Sequence, residues 1–324
     1  MLLDLYSGLL EGARTDHPHL YGARAGTDGN LWLAITEEGF PCLVIPASED
    51  DFRADIALRS IDVEFSRRCE IIGDESGFLV TGTYTVVRLN NADPDTARIF
   101  LRLLEESFCR DAVVLDNRQI GDKILEIAEL FRRLDGSTGD LVGLWGELHI
   151  IANSRNIDSA VRSWCSHKHA KYDFVCSNFV LEVKTTLKPV RQHRFSIEQL
   201  RPAGDFHVFI ASLQVIEAPS GQSVPQMIES VMDQIKEGDV RAAFLHRCFA
   251  KGGQDLYRST LCLQCFPSGG SLKLLKAFDI PVPSVAAGDP ISQVRFDVDL
   301  SPVPSAPRDV ADGILAFQSS AGSP

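Results

Sequence analysis

Nowhere does the 324-residue chain approach the ~18 consecutive apolar residues of a membrane span. Its beginning, Met1-Leu2-Leu3-Asp4, lacks the basic end and cleavage site of a secretory signal, so a soluble, cytoplasmic protein with no membrane partner is expected. Cys262-Leu263-Gln264-Cys265 has no second Cys pair at zinc-ribbon spacing. The alternation across Tyr257–Phe266 reads as a strand, which would put those two thiols on opposite faces. Zinc is therefore not expected, and the eight cysteines read as reduced thiols. No internal repeat is present. Basic residues are also scarce, 32 Lys plus Arg against 44 Asp plus Glu, for a net charge of −12. That balance argues at first sight against a nucleic-acid partner.

The charge is unevenly spread. Residues 1–120 hold 11 Arg and no Lys against 21 acids, whereas residues 161–202 hold 8 basic and 3 acidic side chains, net +5. Phosphate binding follows local Lys and Arg placement, so polyanion contact is expected at this one basic island. The acidic first block should face away from DNA or contact a protein partner.

The length allows two domains. Residues 1–118 read as an acidic, β-rich α+β domain, with strands at Leu31–Ile35, Cys42–Ile45, Ile56–Val63 and Phe78–Leu89 and a helix capped by Asp93-Pro94. Residues 119–300 begin with two striped helices, Ile124 to Leu134 and Leu141 to Ile151, followed by strands Tyr172–Cys176, Phe179–Thr185 and Phe206–Ile216. Ser223 and Pro225 open a further helix, Val240–Phe249 reads as another, and closing strands are expected at Tyr257–Phe266, Lys273–Phe278 and Ile291–Val298. Residues 301–324, rich in Pro, Ser and Ala, suggest a loosely held tail.

The chemistry concentrates around Ser177-Asn178. A tight turn there would set Phe174 opposite Leu181 and Asp173 opposite Glu182. Phe179, Leu181 and Val183 would then point into the core, with Glu182 and Lys184 on the opposite face. Two carboxylates facing each other repel unless a cation stands between them, and an all-oxygen site of this kind suits Mg²⁺. In the helix before them, Glu147 lies on the apolar stripe of Leu144, Ile150 and Ile151. A buried Glu is rare unless paired or coordinated, so Glu147 either reaches the same patch or pairs with an Arg.

At Glu147, Asp173 and Glu182-Val183-Lys184 the sequence resembles the PD-(D/E)xK nuclease superfamily. It is similar, in Gly143–Glu147, Tyr172-Asp173-Phe174, Leu181–Thr186 and His193 to Leu200, to a bacterial family of that superfamily found in restriction and phage-defence neighbourhoods. Tyr172 stands where the superfamily's name has Pro. The resemblance implies an αβββαβ core with a mixed sheet flanked by helices, and metal-dependent hydrolysis of DNA phosphodiesters. Asp173, Glu182 and the Val183 carbonyl would hold Mg²⁺, with Mn²⁺ as a substitute, and Lys184 would orient water or neutralise the phosphate. Glu147 would be a further ligand or an anchor; one metal ion and two both remain open. Gln199 resembles the polar residue such nucleases place beside the metal. Lys168, Lys171, Lys188, Arg191, His193 and Arg194, with Arg162 and Arg201 further out, would meet DNA phosphates.

The function expected is a Mg²⁺-dependent DNA endonuclease in bacterial restriction or anti-phage defence, with helicase, ATPase or methyltransferase partners and a homodimer as one possible assembly. The alternative is a non-catalytic DNA-binding or assembly subunit that keeps the nuclease fold.

Overall fold

A computed structural model describes residues 1–12, 20–58, 60–74, 77–90, 93–110, 115–134, 140–165, 170–202, 207–253, 255–266, 270–285 and 293–317. The chain forms two compact units, Met1–Ser137 and Thr138–Pro324. The division between the units lies at 137/138, whereas the sequence pattern puts a boundary at 118/119. The helix that begins at Asn117 belongs to the first unit, held there by Asn117 N–H donating to Asp51 Oδ2 at 2.7 Å and Asn117 Nδ2 to Ser66 Oγ at 2.9 Å. Among the described residues no helix is long and apolar enough to cross a membrane.

The first unit contains α1 (Leu2–Gly12), β1 (Leu20–Ala25), β2 (Leu31–Ile35), β3 (Pro41–Pro46), β4 (Ile56–Ala57), β5 (Ile61–Gly73), β6 (Leu79–Leu89), α2 (Pro94–Leu104) and α3 (Asn117–Leu134). Its sheet runs β1-β2-β3-β6-β5-β4, and a parallel pairing of β1 with β5 closes five of the strands into a ring. The stretch expected as one strand, 56–63, is two strands, because Leu58 N–H bonds Ile61 C=O and turns the chain back. A bulge between Glu64 and Arg67, with Ser66 at φ 48°, adds the bend that closure requires. Asp93 caps α2 as its sequence predicts, accepting from Thr96 N–H at 2.9 Å.

The second unit contains α4 (Leu141–Ala152), α5 (Ile157–Ser163), β7 (Phe174–Val175), β8 (Phe179–Thr186), β9 (Gln192–Ser196), α6 (Ile197–Leu200), β10 (His207–Ser223), α7 (Val224–Met232), α8 (Gly238–Gly252), α9 (Asp255–Arg258), β11 (Cys262–Cys265), β12 (Leu272–Lys276), β13 (Arg295–Asp299) and α10 (Arg308–Leu315). It is a mixed α+β unit. β7 and β8 form the expected hairpin, with Phe174 opposite Leu181 and Val175 opposite Val180. β8 runs parallel to β10 over its whole length, from Phe179↔His207 to Thr186↔Gln214, and β12 and β11 pair antiparallel with β10. β9 leaves this sheet to pair with β13.

The alternation of β8 decides what each face meets. Val180 packs with Tyr172, Phe195, Leu200, Ile210, Leu275 and Leu300 on one side, while Thr185 approaches α4 at Gly146 on the other. The described part of the tail, residues 301–317, folds back rather than hanging loose. Leu300, Val303, Ile314 and Phe317 are buried, and the Phe317 ring lies 5.3 Å from Phe174 and 6.3 Å from Phe179. Composition alone misread it, because a few apolar residues spaced among Pro and Ser suffice to dock a segment once a hydrophobic surface is there to receive them.

Candidate active site

Glu147 is brought to the sheet by α4. Asp140 caps the helix by accepting from Gly143 N–H at 2.9 Å, and Gly146 allows the close approach: a β-carbon on it would lie 1.8 Å from Thr185 Oγ1. The Glu147 carboxylate is buried, 8% exposed, and its Oε2 accepts from both the Trp164 indole N–H and Lys251 Nζ, the latter at 2.5 Å. Burial first, and the charge of Asp173 second, push its pKa up to about 8.

Asp173 sits just before β7, where the hairpin ladder ends at Phe174 and Leu181. Its carboxylate reaches back to β8, with Oδ2 accepting from Val183 N–H at 2.9 Å and Oδ1 lying 3.4 Å from Lys251 Nζ. Its carbonyl accepts from Cys165 N–H at 2.7 Å. The residue is held from both sides, beside the Val183 main chain named as a ligand.

Glu182 is 5% exposed, and its Oε1 accepts from Lys184 Nζ at 2.6 Å and from Gln199 Nε2 at 3.1 Å. Burial, with Asp173 again second, pushes its pKa up to about 7. Gln199 is fixed by a local device: Ser196 Oγ accepts from Gln199 N–H and Gln199 Oε1 accepts from Ser196 N–H, a capping box that leaves the amide NH₂ aimed at Glu182. The backbone carbonyl of Gln199 accepts from the Tyr172 hydroxyl at 3.1 Å. Burial, then Glu182, pushes the Tyr172 pKa up to about 12.

Asp173 raises both glutamates, so Glu147, Asp173, Glu182 and Lys184 form one electrostatic cluster. Its acidic donors are all hard carboxylate oxygens, and they outnumber the ammonium groups of Lys184 and Lys251. That chemistry fits a divalent cation such as Mg²⁺. Among the described residues, however, no three His, Cys, Asp or Glu side chains gather about a common point; two ammonium groups stand among the carboxylates instead.

The basic island is less available to phosphates than its sequence implies. Arg191 is 7% exposed, donating to the carbonyls of Ser212, Gly270 and Ser271. His193 is 6% exposed, with Nε2 2.8 Å from Ser212 Oγ, and burial pushes its pKa down to about 4. Both hold β9 against β10 and offer no face to a ligand. Arg194 pairs with Asp297 at 2.9 Å, Arg162 with Glu237 at 2.5 Å, and Arg201 donates to the carbonyls of Ala277, Phe278 and Ile280. Lys171 and Lys188, which flank the Asp173–Lys184 segment in sequence, are exposed, and Lys168 lies outside the described residues, as do His167 and His169. Charge counting could not see partners that arrive from residues 237 to 297.

Two residues escaped the sequence reading. Trp164 emerges as a hydrogen-bond donor to Glu147, and Lys251 as the cation beside it. Lys251 follows Arg247 by one helical turn, and the expected helix stopped at Phe249, short of it. Burial opposes the Lys251 charge, but Glu147 and Asp173 outweigh it and raise its pKa. The eight thiols are all free, Cys262 and Cys265 included.

A family model described as "Putative PD-(D/E)XK family member, (DUF4420)" matches residues 16–264, a span that takes in most of the first unit as well as the motif-bearing segment. No curated protein and no solved structure matches the chain.

Proposed function

The chain belongs to the family described as putative PD-(D/E)XK, and from that premise we propose that it is a Mg²⁺-dependent DNA endonuclease of bacterial restriction or anti-phage defence. One observation supports the reading: the charge of Asp173 acts on both Glu147 and Glu182, and Lys184 is bonded to Glu182, so groups from a helix, a strand end and a strand interior lie within electrostatic reach of one another. Glutamates whose pKa values are raised by burial and by a neighbouring carboxylate are the pattern that acid–base and metal sites require.

Asp173, Glu182 and the Val183 carbonyl would hold the cation, with Glu147 beside them. When bound, it supplies Lewis-acid stabilisation of the phosphate and a more acidic water. The chain's own groups do the positioning. Val183 N–H anchors the Asp173 carboxylate, and Gln199 with Lys184 fixes Glu182. The Lys184 side chain, 24% exposed and bonded to Glu182, would donate to an attacking water or to the phosphate oxygens. Lys171 and Lys188 are the exposed cations nearest in sequence for the flanking backbone.

The test is cutting of plasmid and linear DNA by purified protein with Mg²⁺ or Mn²⁺, alone and with the proteins of its gene neighbourhood. Asp173→Asn and Lys184→Ala should each lower cutting by at least ~10²-fold. Unchanged cutting by Lys184→Ala would refute the assignment. The second reading, a non-catalytic DNA-binding or assembly subunit, draws support from the two ammonium groups that stand among the carboxylates, Lys184 on Glu182 and Lys251 on Glu147 and Asp173. In that case DNA binding would persist in Asp173→Asn and in the absence of divalent metal.

A further inference from the structure

Lys251 has no part in the reading above, yet it stands at the centre of the acidic cluster. Its Nζ lies 2.5 Å from Glu147 Oε2 and 3.4 Å from Asp173 Oδ1, bridging two carboxylates contributed by different elements. Only 20% of its side chain is exposed, and the ammonium lies 5.4 Å from the centre of the Trp164 ring. It sits in the last turn of α8, which ends at Gly253 with φ 61°, a conformation that favours glycine. Earlier in the same helix, Arg247 donates to the carbonyls of Val161 and Trp164. The lysine is therefore delivered to Glu147 by a helix pinned in place, not by a surface side chain folding inward.

We propose that the Lys251 ammonium takes the place of a second metal ion, so that this chain holds a single divalent cation, on Asp173 and Glu182. The inference rests on the metal-dependent reading of the same site. Two features of the cluster support it. Lys251 Nζ bridges Glu147 Oε2 and Asp173 Oδ1, the position between two carboxylates that a second cation would take, and the Trp164 indole N–H holds the same Glu147 oxygen. The charges lead the same way. Counted with every group ionised, the case most favourable to metal binding, three carboxylates against two ammonium groups leave −1; one divalent ion makes this +1 and a second +3 within the same cluster, where like charges repel strongly. A fixed ammonium meets the need for a cation beside Glu147 at unit charge and without a hydration shell to strip.

The test is a count of bound Mn²⁺ on the full chain, by equilibrium dialysis with electron paramagnetic resonance of the free ion. Wild type, Lys251→Met, Lys251→Gln and the Glu147→Gln/Lys251→Met double variant would be compared, each checked for native circular dichroism. Wild type should bind one ion per chain. Both Lys251 variants should bind two, and the double variant should return to one, because it lacks the carboxylate that Lys251 had occupied. Lys251→Gln keeps a donor for Glu147 and serves should Lys251→Met not fold. Two ions on wild type, or one on folded Lys251 variants, would overturn the proposal and leave the metal-dependent reading intact. None on wild type but one on the variants would overturn both the single-ion proposal and that reading. None on any protein would overturn both.

Discussion

Replacing Gly146 by alanine should destabilise the second unit, although alanine is the better helix former by ~1 kcal/mol. The added methyl would stand 1.8 Å from Thr185 Oγ1, 3.1 Å from its Cβ and 3.4 Å from its Cγ2. Thr185 is β-branched and stiff at χ1, so rotation exchanges one crowded atom for another. Even with a hydrogen turned toward the helix, the Cβ contact remains tight. α4 must withdraw from β8. Overpacking of this kind costs ~1–3 kcal/mol, so after the propensity gain the net loss should be about 1 kcal/mol, or roughly 2–4 °C in Tm for a unit of this size. Glu147 is the next residue along the helix, and a shift of ~1 Å in a positioned catalytic group costs up to ~10²-fold in rate.

Thr185→Ala, which removes the Oγ1 that has no hydrogen-bond partner among the described residues, should rescue both effects in the double variant. Denaturation of the four proteins, followed by fluorescence of Trp145 and Trp164 in the second unit, gives the coupling energy directly. A Gly146→Ala protein more stable than wild type, or two substitutions whose effects simply add, would refute the claim that close approach at this glycine positions Glu147.

Two further outcomes follow from buried groups elsewhere in the unit. His193, with its pKa pushed down to about 4 by burial, is neutral in the fold but gains a proton when unfolded below its ordinary value of ~6.5. Its contribution is therefore fully present above that pH and is lost as pH falls toward 4; at pH 5 this contribution should be ~2 kcal/mol below its value at pH 7, and the change in urea-derived stability between the two pH values should differ between wild type and His193→Gln by that amount. Equal pH slopes in the two proteins would count against it. Phe317→Ala, which empties the contact with Phe174 and Phe179, should cost ~3 kcal/mol in the second unit. An unchanged melting curve would mean that the C-terminal segment does not hold the β7–β8 hairpin.

Much of the local architecture was legible because it rests on short-range rules. The Asp93-Pro94 cap, the Ser223 cap, the Ser177-Asn178 hairpin and its register all follow from residues a few positions apart. Where a prediction failed, the missing information was distant. The 56–63 strand broke because of a turn that apolar content does not mark, and the first unit extended through α3 because Asn117 bonds Asp51 and Ser66.

The sequence by itself determined the donor set: a glutamate on an apolar helical stripe and an Asp, Glu and Lys brought into register by a two-residue turn, because helical and strand periodicities set which side chains share a face. It also determined that the −12 net charge is unevenly distributed. Only the tertiary structure decided how that charge is used. Asp297, Glu237 and distant backbone carbonyls engage much of the basic island, and Lys251 enters the carboxylate cluster from 104 positions beyond Glu147. Coulomb energy depends on separation in space and on exclusion of water, and neither is set by separation along the chain.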